Sequence, residues 1–348
     1  MASVTIDGRK IGPGHPPYVI CEISGNHNGS LDRALQLIEA AAKTGADAIK
    51  IQSYTADTIT IDHDSPEFQI KGTLWDGYTL YDLYKEAQTP FEWHEAMFAK
   101  ARELGVTLFS SPFDETAVDL LDSLGAPAFK IASFEAIDLP LIAHVAKKGK
   151  PMIISTGMSN LAEIHEAVRT AKGNGCEEII LLHCVSSYPA PDEQSNIRTV
   201  PHLGEAFGCV PGLSDHTMGS AVSVASIALG GCVIEKHFTL SRAEGGPDAD
   251  FSLEPDEFRQ LVEDCKRAWV SLGEIGYDLK GAETGSVQFR RSVYVVKDIA
   301  RGETVTREHV RSIRPGFGLP PKHLAEIIGM TAKTNVARGT PTCWELFR

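Results

Sequence analysis

A (β/α)8 barrel, a TIM barrel of the α/β class, followed by a small β-rich module is the fold this sequence predicts. From residue 18 to about residue 272, eight short β-branched runs alternate with amphipathic helical stretches, the profile and length of such a barrel. Several helical stretches end at a glycine suited to a left-handed cap: Gly45, Gly105, Gly125 and Gly175. A doubly wound open sheet would also alternate, but its Gly-rich phosphate loop is missing after the first run.

Taken in order, strands are predicted over residues 18–24, 48–54, 107–111, 128–133, 151–156, 179–187, 210–216 and 232–238. Helices are predicted over 30–44, 90–104, 115–124, 139–147, 160–174, 218–229 and 255–272. The insertion 56–88, with Lys71-Gly72-Thr73-Leu74-Trp75-Asp76-Gly77, lengthens the loop after the second strand, on the catalytic face of a barrel. Residues 1–272 then make the barrel, 273–289 lose the alternation and read as a linker, and 290–348 make the second module. Short pieces such as Ser292-Val293-Tyr294-Val295-Val296 and turns such as Arg314-Pro315-Gly316 give that module its β-rich reading. A module so small is expected to pack on the barrel or on a partner subunit.

The chain has 348 residues, 43% of them hydrophobic, enough for one large core plus a small second domain. A net charge of −13 argues against a nucleic-acid partner or an anionic membrane. An anionic substrate would therefore need a few local lysines or arginines. The first residues hold no long apolar run, and no stretch reaches the length of a membrane span. Seven cysteines without a CxxC pair read as reduced thiols of a cytoplasmic protein.

His216 and His237 stand at the trailing ends of the last two strand runs, with a small-residue helical stretch between them. If the two strands are parallel, the crossover helix returns the chain to the same end of the sheet. The imidazoles would then emerge side by side from strands about 4.8 Å apart, close enough to hold one divalent metal ion. Two satisfied histidines near a sheet edge is the other reading this spacing allows.

Strand side chains alternate between faces, so each run splits into an inward and an outward set. Lys50 and Gln52 oppose Ile49 and Ile51, and Lys130 is set against Phe129 and Ile131. Glu22 shares a face with Ser24, and Glu235 with His237. With helices over the outward set, the polar residues must face the barrel mouth, where lysine and glutamate are seldom buried unless paired or ligand-bound. Hydroxyls join them at the strand ends: Ser110, Ser111, Ser133, Ser155, Thr156, Ser186, Ser187 and Ser214. A ring of serines around two lysines suits a phosphate-bearing ligand, with charge from lysine and orientation from hydroxyls. The residues alone thus point to a divalent metal and a phosphorylated anion in one mouth, without giving a reaction. A metal-dependent barrel hydrolase or isomerase and a non-catalytic carbohydrate-binding protein are the readings from other classes. A binder, however, has no need of two inward lysines and two histidines.

The motifs in order resemble those of the sialic acid synthases, transferases that condense phosphoenolpyruvate with an amino sugar. The resemblance runs from Cys21-Glu22-Ile23 through Lys50-Ile51-Gln52, Lys130-Ile131-Ala132-Ser133, Ser155-Thr156-Gly157-Met158, Gly212-Leu213-Ser214-Asp215-His216 and Glu235-Lys236-His237-Phe238 to Arg314-Pro315-Gly316. The tail resembles the antifreeze-like, or SAF, domain of that family, a β-clip fold. Within the family, Gly72-Thr73-Leu74-Trp75-Asp76-Gly77 and Thr89-Pro90-Phe91-Glu92-Trp93-His94 look most like the branch that makes pseudaminic acid. Ser186, two residues before Tyr188-Pro189, stands where a neuraminate synthase is expected to carry Asn, which fits a less polar 6-deoxy sugar. The branches making legionaminic and neuraminic acid are the alternatives.

The resemblance implies roles position by position. His216 and His237 would ligate Mn2+, with Mg2+ or Co2+ as alternatives, and Lys50, Ser111, Lys130, Ser133, Ser155, Ser186 and Ser214 would line the phosphoenolpyruvate site. Glu22, Glu135, Tyr188 and Asp248 would face the sugar aldehyde, and either Glu22 or Glu235 would activate a water. Arg314 would reach the active site of the other subunit of a domain-swapped homodimer.

Overall fold

The computed structural model describes residues 2–348, which divide into two compact units, the first ending at Gly273 and the second running Glu274–Arg348. The first unit opens with a hairpin, β1 (Val4–Ile6) and β2 (Arg9–Ile11), that periodicity does not reveal because each strand has only three residues. Eight parallel strands follow and close into a barrel: β3 (Tyr18–Glu22), β4 (Ala48–Ser53), β5 (Thr107–Pro112), β6 (Phe129–Ile131), β7 (Met152–Ser155), β8 (Ile179–Cys184), β9 (Val210–Asp215) and β10 (Val233–His237). Each pairs with its sequence neighbour, and β10 closes on β3. The predicted barrel is the observed one.

The helices are α1 (Leu31–Lys43), α2 (Ala56–Ile59), α3 (Leu80–Ala87), α4 (His94–Leu104), α5 (Glu115–Ser123), α6 (Leu139–Ala146), α7 (Leu161–Gly173), α8 (Thr199–Phe207), α9 (Ala221–Ala228) and α10 (Pro255–Leu272). Their sequences explain their ends and faces. Ser30 caps α1 by accepting from the Arg33 amide, and Ala34, Leu37, Ile38 and Ala41 form the single stripe it buries. Asn160 and Glu163 form a reciprocal capping box at α7. The four predicted cap glycines all have positive φ, 80° at Gly45, 66° at Gly105, 76° at Gly125 and 100° at Gly175.

Three expectations need correction. The helix predicted from residue 90 begins at His94, because Pro90 is extended (ψ 135°) and a 3-10 turn, Phe91–Trp93, intervenes. The helix predicted from 218 begins at Ala221. The insertion is not all loop: α2 and α3 lie within it, α3 capped by Thr79.

Two apolar clusters fill the first unit. One lies between the outward strand faces and the helices, with Val19, Ile49, Ile131, Ile154, Leu181 and Ile234 against Leu37, Phe98, Val145 and Phe258. The other fills the lower barrel with Ile20, Phe109, Ile153, Ile180 and Val233, together with Val4, Ile6 and Ile11 of the hairpin. The hairpin is thus the floor of the barrel.

The second unit has its own core of Val293, Val295, Ile299, Val310, Val336 and Phe347. It contains the antiparallel pair β11 (Ser292–Val295) and β12 (Val310–Ile313) and a short helix, α11 (Leu324–Ile327). The stretch read as a linker carries a 3-10 helix, Gly281–Phe289. No helix among the described residues is long and apolar enough to cross a membrane.

Candidate active site

Strand register brings the inward charges together. Glu22 lies opposite Lys50, His237 opposite Glu22, and Glu235 opposite Ser214. Lys50 Nζ is 2.5 Å from Glu22 Oε2 and 3.3 Å from Glu235 Oε1, which lies 3.3 Å from Lys130 Nζ. Ser214 Oγ donates to the same Glu235 oxygen at 3.0 Å, and Lys50 donates to Ser111 Oγ at 3.3 Å. The four charged side chains are no more than 5% exposed.

Burial alone would raise both carboxyl groups, but their surroundings separate them. Lys130 and Lys50 overcome burial at Glu235 and hold it at about 2. At Glu22 burial wins over the single close lysine, and its carboxyl is raised. Burial is also the larger influence at Lys130, whose ammonium is lowered despite Glu235. Two buried carboxylates of unequal basicity therefore share one pair of lysines.

A second group of hydroxyls sits beside Lys130. The Gly157 amide donates to Ser133 Oγ at 3.2 Å. A Cβ at Gly157 would come within 2.3 Å of Ser186 Oγ and 2.7 Å of Ser133 Oγ, so only glycine lets these two serines converge. Ser155 Oγ and Glu235 Oε2 are buried with no hydrogen-bond partner among the described residues, as is Oε2 of Glu135 on the turn after Ser133. Burial pushes the Glu135 carboxyl up to about 7. Unsatisfied buried acceptors and hydroxyls beside a lysine are the local signature of a place meant for a polar ligand.

The two histidines do emerge side by side. Their ring centroids are 5.4 Å apart, and both residues are buried. His216 Nδ1 faces the Val185 carbonyl at 3.0 Å, and His237 Nδ1 faces Ser24 Oγ at 3.3 Å. An N–H at Nδ1 leaves each Nε2 lone pair available, the arrangement in which a metal-binding imidazole is held by its other nitrogen. Burial, with His216 and Lys50 adding to it, pushes His237 far below its ordinary range, so protons do not compete for its lone pair, whereas at His216 burial is outweighed by the Cys184 thiol and the Val185 carbonyl and the imidazole is raised. The pair therefore fits a divalent ion, although no group of three His, Cys, Asp or Glu side chains among the described residues forms a complete cage.

Aromatic rings line the side of the mouth above them. Tyr188 lies 4.4 Å from the His216 ring and 5.2 Å from Phe251. Trp75, from the insertion, is 5.7 Å from Tyr188 and donates its indole N–H to the Pro247 carbonyl at 2.8 Å. Asp248 follows in the same loop, facing the Gly25 amide at 3.5 Å, and burial raises its carboxyl. The loop after the second strand is thus tied to the loop carrying Asp248.

One predicted member of the serine ring faces elsewhere. Ser110 Oγ bonds Ser53 Oγ, which meets His94 Nε2 at 2.6 Å on the helix side of the sheet. Its neighbour Ser111 faces inward, and alternation forbids both. Thr156 Oγ1 is used by the Leu182 carbonyl, and Ser187 is exposed. Arg314 is an exposed residue of the second unit, directly after β12. Cys184 was not singled out by sequence reading. Its thiol lies 3.9 Å from His216 Nδ1, and although burial would raise it, the imidazole and Ser133 bring it down to about 7.

The profile of the NeuB family matches residues 37–277, and that of the SAF domain matches residues 290–348. The pseudaminic acid synthase of Helicobacter pylori is 40% identical over 327 residues, covering 94% of this chain and 96% of that protein. The pseudaminic acid synthase of Campylobacter jejuni (strain 81-176) is 42% identical over 322 residues, covering 92% and 94%. Among solved structures, the N-acetylneuraminic acid synthetase of Leptospira borgpetersenii superposes with a TM-score of 0.73 at 29% identity, covering 83% of this chain and 96% of that one.

Proposed function

The chain belongs to the NeuB family, and on that premise we propose that it is a transferase condensing phosphoenolpyruvate with 2,4-diacetamido-2,4,6-trideoxy-L-altrose to give pseudaminic acid and phosphate. The observation that carries this reading is the meeting, in one mouth, of two buried lysines, an unsatisfied serine hydroxyl and an imidazole pair. An anion with phosphate and carboxylate groups would use the lysines and the hydroxyl, and the imidazole pair would hold a divalent ion.

In this reading Lys50 and Lys130 hold the phosphate and carboxylate of phosphoenolpyruvate, oriented by Ser111, Ser133, Ser155, Ser186, Ser214 and the Gly157 amide. His216 and His237 would hold a divalent ion, Mn2+ foremost, which when bound would supply Lewis-acid polarisation of the open-chain sugar aldehyde. C3 of phosphoenolpyruvate attacks the aldehyde carbon, and the cation left at C2 takes up water. Phosphate then departs from the tetrahedral centre by C–O cleavage. Lysine charge stabilises the departing phosphate, and a carboxylate takes the proton of the water. Glu22 is the better base, because Glu235 is held at about 2 by both lysines whereas burial raises Glu22. Tyr188, Glu135 and Asp248 face the sugar, and Trp75 and Phe251 beside Tyr188 present apolar surface suited to a 6-deoxy end.

The same proposal places catalysis in residues 1–272, a linker in 273–289 and an SAF domain in 290–348 of a cytoplasmic, domain-swapped homodimer, with Arg314 reaching the partner's mouth. The deciding experiment is phosphate release from phosphoenolpyruvate with a panel of amino sugars, with and without chelator. Turnover with the diacetamido altrose that chelator abolishes and Mn2+ restores is the expected result. Turnover with N-acetylmannosamine alone would overturn the sugar assignment, and full activity in chelator would overturn the metal.

A further inference from the structure

Asp215 and Lys236 occupy equivalent places in adjacent strands, each directly before one of the two histidines. Alternation turns them away from the mouth when His216 and His237 face it. They are paired across the β9–β10 register, Nζ to Oδ2 at 2.9 Å, with both side chains 1% exposed.

The pair is also tied to the chain on the far side of His216. Asp215 Oδ1 accepts from the Thr217 amide at 2.9 Å and from Thr217 Oγ1 at 2.7 Å. Lys236 Nζ donates to the Thr217 carbonyl at 2.6 Å, and Ser223 Oγ of α9 donates to Asp215 Oδ2 at 2.5 Å. The residues before and after His216 are therefore bound to each other and to the residue before His237.

A buried ion pair seldom adds net stability, because removing two charges from water costs about what their attraction returns. What such a pair does supply is directionality, which apolar packing of the same volume lacks. One divalent ion shared by two imidazoles demands a fixed separation, and strand ends are where a sheet frays. We infer that Asp215 and Lys236, with Thr217 and Ser223, form a positioning clamp that sets the spacing of the His216 and His237 rings for one divalent ion. The inference rests on the metal reading proposed above and assigns these residues no contact with substrate.

The test is titration of Mn2+ into metal-stripped protein, following free Mn2+ by its paramagnetic resonance signal, with the metal-free Tm measured alongside. Asp215→Asn and Lys236→Met are each expected to weaken Mn2+ binding by about 10–100-fold, the usual penalty for loosening the support of a metal ligand. Phosphate release in both should recover at saturating Mn2+. A lower Tm with the wild-type Mn2+ affinity would overturn the clamp and leave the pair as architecture. Should those variants fail to fold, Ser223→Ala, which removes one hydroxyl, decides: weaker Mn2+ binding supports the clamp and unchanged binding overturns it. Absence of Mn2+ binding in the wild type would sink the metal reading and the clamp with it.

Discussion

The lower and upper halves of the barrel interior are built on the same strands, one step of alternation apart. Ile20, Ala48, Phe109, Ala128, Ile153 and Val233 fill the lower layer. Two residues further along the same strands stand Glu22, Lys50, Ser111, Lys130, Ser155 and Glu235. One layer excludes water by packing on the hairpin floor; the other buries four charges that are answered by one another, a few hydroxyls and the Ser24 amide. The lower layer supplies stability, while the upper one is bought with it. On the proposed function, the charges are kept because phosphoenolpyruvate needs them.

The largest expected effect comes from erasing the upper layer alone. A variant carrying Glu22→Met, Lys50→Met, Lys130→Met and Glu235→Met should lose at least about a thousandfold in kcat/KM, the order that stabilising groups supply to a developing charge. Its stability should be unchanged or raised by about 1–4 kcal/mol, since apolar groups often replace a buried ion network without loss. Urea denaturation and phosphate release check the two halves of this statement. A variant that no longer folds would break the comparison.

The lower layer should behave in the opposite way. Phe109 is fully buried in the floor cluster, so Phe109→Ala is expected to cost about 3–5 kcal/mol by loss of apolar burial and creation of a cavity. The kcat/KM of the folded fraction should stay near the wild-type value. A large loss of kcat without loss of stability would mean that the two layers are not separable.

Both layers were legible in the sequence to different depths. Period-two alternation in Ala48-Ile49-Lys50-Ile51 is enough to place Lys50 inward, and parallel closure then fixes its neighbours. The hairpin floor was not legible, because strands of three residues fall below any periodicity window. Helix α8 was hidden for another reason: Arg198 gives it no side-chain cap, and Pro201 and Gly204 lie inside it. The Asp215–Lys236 pair was readable only as two opposite charges before two histidines. Its meaning depends on register, which no local pattern carries. The same holds for the Trp75 indole on the Pro247 carbonyl, a contact between residues far apart in the chain.

Glu135 sharpens the comparison by giving the upper layer a pH signature. Its carboxyl is raised from 4.5 to about 7 by burial, so the folded state keeps a proton that the unfolded state has released. Stability from this group is complete below pH 4.5 and is lost as pH rises to about 7, a swing of about 3 kcal/mol by linkage. Glu135→Gln carries no such proton, so its Tm relative to wild type should climb between pH 5 and about 7 and then level off. Parallel Tm curves for the two proteins would show that Glu135 titrates as a solvated carboxyl.

The smallest effect tests whether the helix layer is independent of both interior layers. Asn160 accepts from the Ala162 and Glu163 amides, and Glu163 answers by accepting from the Asn160 amide. Asn160→Ala leaves those amide donors to water and should cost about 1 kcal/mol of stability. The residue lies only three positions beyond Gly157, whose amide is bound to Ser133 in the mouth. If the β7–α7 turn is held by the Gly157–Ser133 contact, kcat/KM with phosphoenolpyruvate should not move when the cap is removed. If the cap instead sets the position of that turn, the KM for phosphoenolpyruvate should rise with the loss of stability. In that case the boundary between scaffold and mouth runs through the first turn of α7 rather than along the strand ends.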